Sequence, residues 1–201
     1  MQPSSWVRPL RDRAELEEIL SLVLDRLNPA AWGFQYRLVG TGAALAQDVQ
    51  LPTGDIDILV SRRDEVDTFA DALSGFPCLE PPAWLPNSRQ YFTHFKVDEI
   101  DVGASTVERP VDTDTFECIG RGPWQHYVDI AFGWHTVPAV ALELRLVSEL
   151  VRNRPDRYNA LIQHLRSRGA DLDLIQRSMT DREIDPRTQQ DILHQLRSQR
   201  R

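Results

Sequence analysis

The chain has 201 residues and a formal net charge of −7. This length suffices for one domain with a complete core plus a helical extension, and the acidic balance argues against a general nucleic-acid binder, whose affinity comes largely from neutralising phosphates. No apolar run approaches the roughly 20 residues of a membrane span, and two cysteines form neither a disulfide framework nor a zinc site, so we expect a cytoplasmic protein without a membrane partner.

A helix and a strand are predicted at the start of the chain. From Arg13 to Leu27, aliphatic residues recur at three- and four-residue steps, which is typical of a helix with one buried face. Asp12 is a suitable N-cap, and the proline after Asn28 ends the helix because the residue before a proline avoids the α region. The apolar segment 34–39 then predicts a strand on which this helix packs.

The next stretch predicts a glycine turn, a short helix and a second strand. Gly40-Thr41-Gly42 follows the first strand, residues 43–48 suit a helix, and Gly-Asp-Ile-Asp-Ile-Leu-Val contains the second strand. Because side chains alternate along a strand, Asp55 and Asp57 share one face, roughly 6.5 Å apart, and the isoleucines share the other. Two carboxylates are thereby placed beside a glycine turn.

This pairing of a glycine turn with two carboxylates indicates a phosphate and metal site. Like charges in a partly desolvated place raise one pKa, whereas a bound divalent cation keeps both groups ionised. Mg²⁺ suits such oxygen ligands and commonly links one or two carboxylates to substrate phosphates. Gly40 and Gly42 allow close approach of the backbone, whose amides at the start of the helix can point at a phosphate.

The arrangement resembles the nucleotidyltransferase superfamily of DNA polymerase beta, in which Gly-Gly or Gly-Ser and a short helix precede Asp-x-Asp between aliphatic residues. It is most similar to the compact bacterial members, the aminoglycoside nucleotidyltransferases and the nucleotidyltransferase-like partners of toxin–antitoxin systems. Thr41 replaces the usual second residue, although its hydroxyl can still donate to a phosphate. Many members carry an arginine shortly before Asp-x-Asp, where this chain has Gln50-Leu51-Pro52. A plain acidic strand end is the alternative.

The middle of the chain predicts further elements of the sheet. A helix is predicted at 62–73, an extended surface loop without regular structure at the proline-rich segment 75–87, strands at 89–97 and 100–106 with a turn between them, and a short strand at 127–132.

A third carboxylate, Asp101, stands between two aliphatic residues as Asp57 does. The resemblance implies that Asp101 is the family's third catalytic carboxylate, which shares the metal and accepts a proton from the attacking hydroxyl. A solvent-exposed strand carboxylate is the alternative. His94, on the preceding strand, is a weaker candidate for the same site.

The C-terminal part is predicted to be helical. A helix beginning at Pro138 and reaching about Asn153, and three more starting near 154, 171 and 186, predict a helical region of residues 137–201 packed on an α/β domain of residues 1–136. The resemblance implies that Arg145 binds nucleotide phosphates, and a surface charge is the alternative. Arg152, Arg154 and Arg157 are interpreted as a solvated basic face.

The resemblance implies an α/β (α+β) protein whose small, mixed, twisted sheet is flanked by helices, and a transfer reaction. With two Mg²⁺ ions at Asp55, Asp57 and Asp101, it would move a nucleotidyl group from a nucleoside triphosphate to a hydroxyl of a small molecule, an RNA or a protein, and release pyrophosphate. The alternative is an inactive binding or regulatory module, such as a toxin–antitoxin partner. A protein partner or a homodimer is compatible with either.

Overall fold

The computed structural model describes residues 6–28, 33–87, 89–106 and 122–197. Its strands are β1 (Tyr36–Val39), β2 (Asp55–Val60), β3 (Cys78–Leu85), β4 (Gln90–Val97), β5 (Ile100–Ser105), β6 (Tyr127–Phe132) and β7 (His135–Val140). Its helices are α1 (Arg13–Leu27), α2 (Gly40–Ala46), α3 (Arg63–Ala72), the single turn α4 (Gly122–Gln125), α5 (Leu142–Val151), α6 (Pro155–Arg168), α7 (Leu172–Asp181) and α8 (Pro186–Arg197).

The strands form one mixed sheet in the order β3-β4-β5-β2-β1-β7-β6. The inner pairs β2–β5 and β1–β7 are parallel, and β1–β2 and the outer hairpins β3–β4, β4–β5 and β6–β7 are antiparallel. Helices flank the sheet, so the predicted α/β fold with a small mixed sheet is confirmed. Parallel pairing brings the starts of β2 and β5 side by side at one end of the sheet.

The core lies between the sheet and the helices that pack on it. The aliphatic stripe of α1, from Leu16 to Leu27, is buried, and Asp12 caps the helix by accepting a hydrogen bond from the backbone N–H of Glu15, as predicted. On β2, Ile56 and Ile58 are fully buried, which confirms the predicted alternation of faces. None of the helices in the described ranges is both long and apolar enough to cross a bilayer.

The prediction of an irregular loop at 75–87 was wrong. Residues Cys78–Leu85 form β3, an outer strand of the described sheet, paired with β4. The register shifts between Cys78 and Glu80 and again between Glu80 and Ala83, around the two prolines of the strand. An outer strand tolerates proline because one row of its backbone groups is not needed for pairing.

The predicted start of the C-terminal helix was also wrong. Pro138 lies in β7, where it faces Asp129 of β6, and the helix α5 begins only at Leu142. Two strand residues, Ala139 and Val140, therefore separate the proline from the Ala141 N-cap. The predicted division between residues 1–136 and 137–201 falls inside β7 and remains a prediction about domains. Beyond it, α5 packs on α2, α6 and α7, which joins the helical region to the sheet layer.

Candidate active site

Three aspartates lie on one face of the sheet, on the neighbouring strands β2 and β5. Asp55 and Asp57 alternate with buried isoleucines on β2, and both keep partial contact with solvent. Asp101 of β5 is the register partner of Asp55. Partners on neighbouring strands lie about 4.8 Å apart and share a face. The structure therefore brings together the three acidic residues predicted from sequence, although their metal and catalytic roles stay predictions.

The glycine turn touches one of these carboxylates. Gly40 opens α2 with a φ of +67°, a left-handed conformation that favours glycine. A Cβ atom at this position would lie 2.5 Å from Oδ2 of Asp57, so no larger residue fits without moving that carboxylate. The helix thus starts at Gly40, three residues earlier than predicted.

The other two residues of the predicted phosphate turn are less open. The side chain of Thr41 is only 5% exposed, and its backbone carbonyl lies 3.5 Å from the hydroxyl of Thr53. Gly42 is buried, and a Cβ there would meet Leu38 at 3.5 Å. Of the three, Gly40 lies directly against the acidic group.

The carboxylates oppose one another electrostatically. Burial, and after it the charge of Asp55, raises the pKa of Asp57 to about 7. Burial, and after it the charge of Asp101, raises the pKa of Asp55. Both groups are therefore harder to ionise than an ordinary aspartate, and a cation between them would relieve the conflict.

His94 belongs to this group as well. Its Nδ1 lies 2.8 Å from Oδ1 of Asp101, and its ring stands edge-on to Phe92. Burial alone would lower the pKa of His94, but the hydrogen bond and charge of Asp101, together with the charges of Asp57 and Glu80, outweigh burial and raise it. The sequence named His94 only as a weak candidate, and the structure places it in direct contact with an acidic residue of the site.

Arg145 lies inside the protein. Its side chain is 2% exposed and pairs with Glu149, which is fully buried one helical turn later on α5. The surface-charge alternative for Arg145 is therefore wrong. Its charge, like that of Arg157, lowers the pKa of Asp55, so both guanidinium groups lie close enough to act on that carboxylate. Its predicted role as a phosphate ligand remains a proposal.

The connection between α5 and α6 gathers more positive charge. Arg157 lies 3.6 Å from the same oxygen of Glu149 and remains 26% exposed. Burial, and then the charges of Arg157, Arg152 and Arg145, lower the pKa of Arg154. Arg154 is exposed, as predicted for a solvated face, whereas Arg157 is half-buried and its charge acts on Asp55. A glutamate one turn after Arg145 within an aliphatic helix was the available sequence signal for this network.

The donor set suits a hard cation that brings ligands of its own. Within residues 6–28, 33–87, 89–106 and 122–197, no three His, Cys, Asp or Glu side chains converge as a preformed metal cage. Mg²⁺, however, takes as few as one or two protein carboxylates and completes its shell with water and phosphate. Asp55 and Asp57, with raised pKa values and partial solvent contact, fit that requirement, whereas one oxygen of Asp101 is occupied by His94.

Two solved structures share this fold. A candidate nucleotidyltransferase from Thermotoga maritima aligns with 78% of this chain and 96% of its own, with a TM-score of 0.55 and 18% identity. An antigenic nucleotidyltransferase-like protein from Paracoccidioides brasiliensis aligns over 95% of both chains, with a TM-score of 0.54 and 11% identity. At these identities the likeness establishes the nucleotidyltransferase fold. No protein-family model and no curated protein matches the chain.

Proposed function

We propose that the chain is a Mg²⁺-dependent nucleotidyltransferase, which moves a nucleoside monophosphate from a nucleoside triphosphate to a hydroxyl acceptor and releases pyrophosphate. The observation that carries this proposal is the conflict between Asp55 and Asp57. Their pKa values are raised, that of Asp57 to about 7, although both lie on a partly solvated face where a plain structural role would not need two adjacent carboxylates. Perturbed carboxylates of this kind cluster at functional sites.

In this proposal, Asp55 and Asp57 would hold a cation, and Asp101 would share a second. A bound Mg²⁺ would neutralise phosphate charge and lower the pKa of an attacking hydroxyl. Gly40 has no side chain to keep the backbone away from a phosphate, and a side chain there would also collide with Asp57. Arg157, partly exposed beside Glu149, would bind the outer phosphates, whereas Arg145 is buried.

Asp101 is suited to accept the proton of the acceptor hydroxyl. It sits across from Asp55 on the neighbouring strand, and His94 fixes one of its two oxygens. A base that is held in position lowers the barrier more than a mobile one, because its orientation is prepared before the reaction. The attack would then proceed in line with the departing pyrophosphate. The acceptor class, whether small molecule, RNA or protein, is open in this proposal, as is cytoplasmic location.

A second candidate is a catalytically inactive module that binds a nucleotide or a protein partner. One observation favours it: the hydroxyl-bearing side chain of Thr41, which replaces the usual Gly or Ser of the phosphate turn, is almost fully buried. In such a module the acidic pair would persist as a binding feature without turnover.

Label transfer separates the two candidates. The purified protein is incubated with each α-³²P-labelled nucleoside triphosphate and Mg²⁺ in the presence of a cell extract, and the labelled product is identified. We expect a labelled acceptor with the wild type and with Asp71→Asn, an exposed control on α3, and none with Asp55→Asn. Labelled nucleotide that binds the wild type without any transfer supports the inactive module. Equal transfer by Asp55→Asn contradicts the enzyme assignment.

A further inference from the structure

The ring of His94 lies against a glycine of the neighbouring strand. His94 on β4 is the register partner of Gly103 on β5. A Cβ atom at Gly103 would lie 2.8 Å from Cε1 of His94 and 2.9 Å from Nε2, closer than real Cβ contacts. The φ of Gly103 is not in the left-handed region, so backbone conformation does not demand a glycine there. A side chain at position 103 would therefore have to displace the imidazole.

This contact puts His94 in a defined place relative to the acidic group. Asp101 precedes Gly103 by two residues, so both lie on the same face of β5. Resting over Gly103, the imidazole directs Nδ1 to Oδ1 of Asp101 at 2.8 Å, and Phe92 contacts the ring edge-on. The ring is thus confined by a glycine, a phenylalanine and a carboxylate.

The contact between His94 and Asp101 affects how Asp101 could bind a cation. Asp101 stands directly across from Asp55, and Gly103 stands across from Asp57. With neither oxygen engaged elsewhere, Asp101 would turn toward a cation at Asp55 and Asp57 and act as a third ligand. The hydrogen bond with His94 holds one of these oxygens, so Asp101 can offer a cation only the other.

We propose that His94 is a positioning residue that withholds one oxygen of Asp101 from a cation bound at Asp55 and Asp57. This inference rests on the proposed function and deepens it. With one oxygen of Asp101 held by His94, the bare acidic group binds the cation less tightly, and the cation retains places for phosphate ligands. The other oxygen of Asp101 stays oriented for the roles that the proposed function gives it.

Cation binding without nucleotide tests the role of His94. Mn²⁺ replaces Mg²⁺, and free Mn²⁺ is counted by its electron paramagnetic resonance signal during titration. We expect His94→Ala to bind Mn²⁺ about tenfold more tightly than the wild type, because cation affinity rises with the number of charged ligand groups available. His94→Asn keeps an N–H donor near the position of Nδ1, and we expect it to restore wild-type affinity within about twofold.

Two further variants separate positioning from a general structural effect. Gly103→Ala keeps His94 but pushes its ring away, so we expect it to tighten Mn²⁺ binding as His94→Ala does. His135→Ala breaks a similar histidine–aspartate contact, in which Nε2 of His135 lies 2.9 Å from Oδ1 of Asp25. This variant should leave Mn²⁺ affinity unchanged. Thermal melting of each variant verifies that it is folded.

The outcomes distinguish this inference from the proposed function. If the wild type binds Mn²⁺ and His94→Ala binds it equally or more weakly, the positioning role is overturned while the nucleotidyltransferase proposal stands. Equal tightening by His94→Ala and His94→Asn also overturns it, because the donated hydrogen bond would then be irrelevant. If neither the wild type nor any variant binds Mn²⁺, the metal-dependent function fails and this inference fails with it.

Discussion

Replacing Asp57 with asparagine should stabilise the metal-free protein at alkaline pH and leave it unchanged in acid. The pKa of this carboxyl rises from 3.8 in the unfolded chain to about 7 in the fold. An acid with a raised folded pKa stabilises the fold while it is protonated, and this contribution is lost as the pH climbs from 3.8 to about 7. Asparagine does not ionise, so Asp57→Asn does not undergo this loss.

The size of the effect follows from the same shift. At 1.36 kcal/mol for each pKa unit, the full rise would correspond to about 4 kcal/mol. Asp57 keeps partial contact with solvent and shares its titration with Asp55, which both reduce that figure. We therefore expect Asp57→Asn to have a free energy of unfolding about 2 kcal/mol above that of the wild type at pH 8, with the two nearly equal at pH 4.

Urea unfolding followed by far-ultraviolet circular dichroism, with EDTA present, measures this difference at both pH values. Asp71→Asn, an exposed aspartate on α3, is the matched control and should behave as the wild type at each pH. Saturating Mg²⁺ at pH 8 should raise the stability of the wild type but not of Asp57→Asn, because binding to the native state adds stability. An Asp57→Asn protein that is no more stable than the wild type at pH 8 would refute the electrostatic reasoning.

Two other substitutions test the surroundings of the acidic group. Gly40→Ala places a methyl group 2.5 Å from Oδ2 of Asp57, on a backbone in the left-handed region. It should lower the free energy of unfolding by about 1–3 kcal/mol and weaken Mn²⁺ binding. An unchanged urea midpoint and an unchanged Mn²⁺ titration would contradict this geometry. Glu149→Gln removes the buried charge that Arg145 and Arg157 share, and should lower the free energy of unfolding by about 3 kcal/mol; a loss below about 1 kcal/mol in the same urea assay would show that the pair is not the network's support.

The acidic group was predictable because its parts are encoded locally. Strand alternation places Asp55 and Asp57 on one face, and a glycine turn at the right distance puts Gly40 beside them. Asp101 was found only through its aliphatic neighbours and the family resemblance. That β5 pairs with β2 in parallel, which makes Asp101 the partner of Asp55, depends on long-range pairing that no local pattern contains.

Proline led to two wrong predictions, the loop at 75–87 and the helix start at Pro138. The prolines of β3 lie on an outer strand with register shifts, where a missing N–H is tolerated, whereas Pro138 lies in β7, between β1 and β6, opposite Asp129. Proline is disfavoured in helix interiors and in central strands, but whether a given strand position tolerates it depends on the neighbouring strands of the sheet. The sequence therefore shows where proline is disfavoured, whereas only the assembled sheet shows which strand positions accept it.

The basic side of the site shows the same limit for charges. Arg145 and Glu149 are one turn apart on α5, a spacing that the sequence displays, yet their complete burial results from packing of α5 between α2 and the later helices. Arg157 joins them from the next helix across a short connection. Periodicity predicts which residues share a helix face, whereas the depth of that face is decided by tertiary contacts.

The parallel union of β2 with β5 also bears on how the protein acquires its acidic group during folding. Asp55 and Asp101 come from strands separated by α3 and the β3–β4 hairpin, so their proximity appears only after that intervening chain has docked. Contacts of such long sequence separation form slowly, because loop closure precedes the gain from pairing. A nascent chain that ends before β5 would thus expose two mutually repelling carboxylates with neither the histidine nor the third acid in place, and competence to bind a cation should emerge late, together with the completed sheet.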